Sequence, residues 1–111
     1  MGVAKKFVNR FDFWLVMKNP EHGRVVDNLG LCVIVTPEEL IDLPSLMVAP
    51  MTTSSASLPS RVECDFEGSK GYIMIDQIRA VEKSSFIKKL GELEIDVQVT
   101  LCDCLQEFFA L

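Results

Sequence analysis

Nowhere in the sequence does an apolar run approach the ~20 residues that a membrane-spanning helix needs. The first ten residues, with Lys5, Lys6 and Arg10, also lack the apolar stretch of a signal peptide. The expectation is a cytoplasmic protein that does not engage a membrane. Cysteine occurs four times, at Cys32, Cys64, Cys102 and Cys104, but never as a CxxC pair. Cys102 and Cys104 have no further Cys or His near them, so zinc and disulfides give way to small buried thiols in a reducing compartment. Histidine occurs once, at His22. No metal or other cofactor is expected. Aromatic residues are scattered, which disfavours the aromatic groove of a plain peptide-binding SH3-like module. Positive charge is scarce too. A net charge of −5 and a pI near 4.8 argue against a general nucleic-acid binder. A local basic groove stays open, because the cations are bunched at residues 5–10, 18–24, Arg61 and 83–89.

What is present is apolar bulk. The 111 residues (12.4 kDa) suffice for one domain, 1–111, with residues 1–10 a candidate flexible extension. A hydrophobic share of 49% and a mean hydropathy of +0.25 are high for so small a domain. Excess apolar surface in a small domain tends to be buried against a partner, so a homodimer is expected.

Patterning predicts a mainly β chain. Residues 11–17 (FDFWLVM) are rich in strand formers. Residues 18–30 hold Asn19-Pro20, Gly23 and Asn28 and predict a long loop, of the kind that carries function. Residues 31–35 and 45–51 are buried strands. Thr36-Pro37-Glu38-Glu39 predicts a short capped helix, with Thr36 and Glu39 as a capping box and Pro44 as its limit. Residues 52–59 (TTSSASLP) form a polar loop. Over 61–65 the pattern alternates, with Val62 and Cys64 on one side and Arg61, Glu63 and Asp65 on the other. A turn over 66–71 leads to a buried strand at 72–75, broken by Asp76-Gln77 and resumed at 78–81. A second short helix is predicted over 84–90, stopped by Gly91. The last segment, 96–109, fits a helix with a broad apolar face, although its β-branched residues also suit a strand. Short strands with a closing helix suggest a small barrel or sandwich with appended helices.

The order of motifs resembles the MazF/PemK (Kid) toxin family. Asp12-Phe13-Trp14-Leu15-Val16 resembles its opening strand, and Asn19-Pro20 with Gly23 its D-P-x-x-G loop. Val33-Ile34-Val35-Thr36-Pro37 resembles its second strand. Val48-Ala49-Pro50-Met51-Thr52-Thr53-Ser54 resembles v-v-P-i-T-s. Asp76-Gln77-Ile78-Arg79-Ala80-Val81-Glu82-Lys83 resembles D-Q-i-R-t-i-d-K, and Lys89-Leu90-Gly91-Glu92-Leu93 resembles the family's helix exit. Each motif is weak alone. Together they run from about Phe11 to the C-terminus in the family's order.

The resemblance implies an SH3-like barrel of the CcdB/Kid/MazF type with a C-terminal helix, working as a homodimer. It implies the toxin of a type II toxin–antitoxin system, a sequence-specific endoribonuclease that cuts single-stranded mRNA without a metal and so stops translation and growth. The implied partners are single-stranded RNA and a cognate antitoxin whose acidic disordered tail blocks the groove, with DNA met only through the antitoxin complex.

Such cleavage uses the substrate's own 2′-hydroxyl as nucleophile. It needs a base for that proton, an acid for the leaving 5′-oxygen and donors on the phosphate. By resemblance Asp76 is the base, Thr52 a phosphate ligand extended by Thr53 and Ser54, and Asp12 an acidic residue near the groove. Two family arginines are replaced, one before strand two by Gly30 and one two residues before the Asp-Gln pair by Met74. Arg24, where some relatives place a histidine, and Arg61 are the candidate substitutes. A guanidinium clamps phosphate well but holds its proton too tightly to be a good acid. The unperturbed pKa of a histidine would suit His22 to acid–base work.

Each assignment has a plainer counterpart. Arg24, His22 and Arg61 can be solvated surface groups, Thr52 can be turn chemistry, and Asp76 can be a turn residue or a partner of Arg79. A CcdB-like gyrase inhibitor or a catalytically silent homologue is the competing function. Gyrase poisoning by CcdB depends on a tryptophan-containing C-terminus, whereas this chain ends Glu107-Phe108-Phe109-Ala110-Leu111 with its one tryptophan at Trp14.

Overall fold

A computed structural model of the chain describes residues 7–17, 29–53 and 60–110. Of the expected loop over 18–30, residues 18–28 with His22 and Arg24 lie outside these residues, as does 54–59 with Ser54, whereas Leu29 and Gly30 already belong to a strand, with Gly30 paired to Val16. The order of elements is β1 (Asp12–Met17), β2 (Leu29–Ile34), β3 (Ser45–Thr52), β4 (Arg61–Phe66), β5 (Ser69–Met74), β6 (Arg79–Glu82), β7 (Phe86–Glu92) and α1 (Ile95–Phe109). The strands form one sheet in the order β4-β5-β3-β2-β1-β7, and β6 also pairs with β3. All pairings are antiparallel. β5 and β6 run one after the other along the same edge of β3, joined by a 3-10 turn at Ile75–Gln77. The step in register between them equals the length of that turn.

The sheet is apolar on both faces because alternate residues are buried on opposite sides. Phe13, Val33, Ala49, Val62, Cys64, Ile73 and Ile75 form one core with Leu93 and Leu101. Trp14, Val16, Cys32, Ile34, Leu46, Val48 and Phe86 form the other. Val8 closes this second core at 7% exposure, so the fold extends into the segment expected as a flexible extension. α1 packs over the first core through buried Leu101, helped by half-buried Val97, Cys104 and Leu105. Its other apolar stripe, Ile95, Val99 and Phe109, stays exposed.

Three local expectations are corrected. The segment after Thr36 makes only a single 3-10 turn, Glu38–Leu40, without a side-chain cap. The Thr36 hydroxyl accepts the Met47 N–H instead, at 2.7 Å, tying this segment to β3. Glu38 accepts the Arg10 N–H at 2.6 Å. The predicted helix over 84–90 is a 3-10 turn at Lys83–Ser85 followed by β7. Phe86 is buried and Ile87 exposed, and pairing with β1 overrides the helical spacing of Phe86, Ile87 and Leu90. Gly91 lies opposite Phe13 in a bulged strand rather than at a helix end. The predicted turn over 66–71 shrinks to Glu67-Gly68, at φ 50° and 80°, a tight hairpin turn that favours glycine.

Candidate functional site

The hairpin of β4 and β5 and the end of β3 build an open face. Val62, Cys64 and Ile73 point into the core, so their neighbours point out. Register sets these outward residues in rows. Arg61 lies opposite Met74. In the next row Tyr72 stands between Glu63 on β4 and Thr52 on β3. Asp65 lies opposite Lys70. Facing residues in such rows have Cβ atoms ~4.5–5.5 Å apart. Thr53 follows, exposed, at the end of β3.

Asp76 enters this edge through Ser60. The Ser60 carbonyl accepts the Ile75 N–H at 2.9 Å, and the Ser60 hydroxyl donates to Asp76 Oδ1 at 3.2 Å. This pins the 3-10 turn to the start of β4 and brings Arg61 and Asp76 to the same edge. Among the described residues the second Asp76 oxygen has no partner. The carboxylate is thus oriented by Ser60, not by Arg79. Arg61 Nε is buried and makes no hydrogen bond. Leaving such a donor unmet costs about 1–3 kcal/mol, more for a charged group, so this edge is poised for an acceptor.

Asp12 is placed elsewhere. It lies on β1, separated from β5 by β2 and β3, and is 1% exposed. Its Oδ2 accepts the Asn9 N–H at 2.8 Å and Trp14 Nε1 at 3.3 Å, and Lys89 Nζ stands 3.5 Å from Oδ1. Phe11, with a left-handed φ of 71° that bulky residues rarely adopt, turns the chain into this arrangement. It is held by Phe11 N–H to the Ile34 carbonyl and by Leu93 N–H to its own carbonyl. Lys89 also bonds Glu92 at 2.8 Å. That bond, and then the Asp12 charge, raise the lysine pKa, and the same bond lowers that of Glu92. The Asp12 carboxylate is therefore engaged within the fold and does not face an open groove.

All four cysteines are free thiols, with Cys32 and Cys64 buried and Cys102 and Cys104 half-buried. Burial, aided by Asp65 and Glu63, pushes the Cys64 thiol up to about 11, so it stays protonated. Among the described residues no cluster of His, Cys, Asp and Glu could hold a metal ion, and no helix is long and apolar enough to cross a membrane.

A family model described as a PemK-like, MazF-like toxin of type II toxin–antitoxin systems matches residues 9–109. The chain belongs to this toxin family. Solved structures agree on the fold. The Mycobacterium tuberculosis toxin MazF-mt6 is 18% identical, with a TM-score of 0.74 over 90% of this toxin and 97% of that chain. MazF from Deinococcus radiodurans is 15% identical, with a TM-score of 0.77 over 96% and 100%. A mycobacterial endoribonuclease in complex with its cognate antitoxin is 16% identical, with a TM-score of 0.76 over 92% and 94%. No curated protein sequence matches the chain significantly. This PemK/MazF-like toxin is thus mainly β, an SH3-like barrel with a C-terminal helix.

Of the residues singled out from sequence, Thr52, Thr53, Arg61 and Asp76 share the β3–β4–β5 edge. Ser60 and Tyr72 were not singled out. Tyr72 reads as one more apolar residue of a buried strand, although its position beside outward Glu63 depends on the tight Glu67-Gly68 turn. Nothing in the sequence alone fixes that register.

Proposed function

We propose that this toxin is a metal-independent, sequence-specific endoribonuclease that cuts single-stranded mRNA and so arrests translation and growth. The observation that carries the proposal is the Asp76 carboxylate, oriented by the Ser60 hydroxyl with its other oxygen unbonded among the described residues, next to the strand start that carries Arg61. The Arg61 guanidinium offers its donors to a phosphate diester. Asp76 takes the proton from the 2′-hydroxyl, which attacks the adjacent phosphorus and expels the 5′-oxygen, leaving a 2′,3′-cyclic phosphate. Arg61 stabilises charge on the phosphoryl oxygens, with Thr52 and Thr53 as further donors. Ser54 extends that donor set. Arg24 and His22 are assigned to the leaving-oxygen side, where imidazole is the better acid.

The toxin's partners in this reading are single-stranded RNA, a second copy of the chain, and a cognate antitoxin whose acidic tail competes for Arg61. DNA is met only through the antitoxin complex, and the setting is the cytoplasm. The test is cleavage of a single-stranded RNA pool in EDTA buffer. The wild-type toxin is expected to cut, whereas Asp76→Ala and Arg61→Ala lose activity and keep the wild-type unfolding midpoint. An intact RNA pool with folded wild-type protein would overturn the enzyme reading in favour of a silent binder.

A further inference from the structure

We propose that Tyr72 and Glu63 form a guanine-reading subsite on the outer face of β3, β4 and β5. The proposal rests on the endoribonuclease reading and names one base of its substrate.

Tyr72 is half-buried in the middle strand of that face, flanked by Thr52 on one side and Glu63 on the other. The ring contacts found among the described residues join Phe13 to Phe66, Trp14 to Phe86, Phe108 to Phe109 and Arg10 to Phe11. Tyr72 takes part in none of them, and its hydroxyl makes no hydrogen bond among the described residues. A rigid aromatic ring that no other described ring covers is a platform on which a single-stranded base stacks. Stacking alone does not choose a base. The choice falls to the group beside the ring.

That group is Glu63. Its side chain is 56% exposed, and one oxygen lies 3.4 Å from Lys70 Nζ. The other has no partner among the described residues. A carboxylate in a groove for a polyanion works against binding unless it meets donors. The cations for the phosphates lie in the rows to either side, Arg61 opposite Met74 and Lys70 opposite Asp65. In the middle row the stacked base is the group left for the carboxylate to meet.

A carboxylate only accepts hydrogen bonds. The Watson–Crick edge of guanine offers two adjacent donors, N1–H and the N2 amino group, which match two carboxylate oxygens. Adenine and cytosine each offer one amino donor beside a ring acceptor. Uracil offers one N3–H between two carbonyls, which repel the carboxylate. Guanine is therefore the base that this pair selects. A bidentate contact of this kind discriminates by roughly tenfold or more.

The test uses the full chain and uncleavable 2′-O-methyl octamers of uridine with one guanosine, inosine, adenosine or cytidine in the centre, read by fluorescence anisotropy. Inosine differs from guanosine only in lacking the N2 amino group. Wild type is expected to bind the guanosine octamer roughly tenfold more tightly than the inosine one. In Glu63→Gln this ratio falls to near one. Tyr72→Leu weakens all four octamers together, by about tenfold, because every base has a face to stack. Thermal unfolding of both variants confirms the fold. Equal binding of guanosine and inosine octamers by wild type, an unchanged ratio in Glu63→Gln, or preference for another base would overturn the subsite while leaving the RNA reading intact. Failure of folded wild type to bind any octamer would overturn both.

Discussion

The Lys89 ammonium stands 3.5 Å from the carboxylate of Asp12, which is 1% exposed. This contact fastens the edge strand β7 to β1. Lys89→Met leaves the buried charge with only the Asn9 and Trp14 N–H donors. The expected loss is about 1–3 kcal/mol, measured by urea unfolding. Lys89 has a raised pKa, so its contribution is complete below the ordinary lysine value and disappears as pH rises through the raised one. Glu92 has a lowered pKa, so its contribution is complete above the ordinary carboxylate value and disappears as pH falls through the lowered one. The gap between wild type and Lys89→Met should be widest from about pH 5 to 10 and narrow on both sides. A gap that does not vary with pH would refute the linkage.

Arg61 tests the difference between a fork and a point charge. Arg61→Lys keeps the charge but lacks two parallel donors. Both Arg61→Lys and Arg61→Ala should lower single-turnover RNA cleavage by about 10²–10³-fold. Wild-type rates in Arg61→Lys would show that charge alone suffices.

The two stripes of α1 separate core from surface. Leu101 is fully buried, and Leu101→Ala should cost about 2–5 kcal/mol. Val99 is 56% exposed, and Val99→Ala should change the stability of a monomer by less than about 0.5 kcal/mol. A larger loss that grows with protein concentration would show that this stripe is covered by a second copy of the chain.

The Cys64 thiol offers a probe of opening. With its pKa pushed up to about 11, it should resist alkylation at pH 8 and react only through unfolding. The unfolded chain loses this proton first as pH rises. Stability therefore falls between about pH 9 and 11, an effect that Cys64→Ala should remove. Rapid native-state labelling of Cys64 would contradict its burial.

Much of this fold is legible in local pattern. Alternation over 61–65 places Val62 and Cys64 inside and Arg61 and Glu63 outside, as found. The apolar run at 45–51 is a strand, and that at 72–75 is one up to Met74, where Ile75 opens a 3-10 turn. The failures occur where a distant partner decides. Thr36 is spaced like a helix cap, yet its hydroxyl serves the Met47 N–H. Residues 86–90 are spaced like a helix, yet β1 claims them. The site divides in the same way. Asp76 and Thr52 stand out in the sequence by motif, whereas Ser60 and Tyr72 acquire meaning only through strand register.

The pairing of β1 with β7 joins residues 12–16 to residues 86–92. During synthesis the first strand emerges early and waits for most of the chain before its second neighbour exists. At the ~5–20 residues per second of a ribosome, this interval lasts seconds. Until then Trp14 lacks the Phe86 ring that it packs against, 5.6 Å away between centroids. A nascent chain shorter than β7 cannot complete this sheet, so maturation of the toxin is timed by its own connectivity.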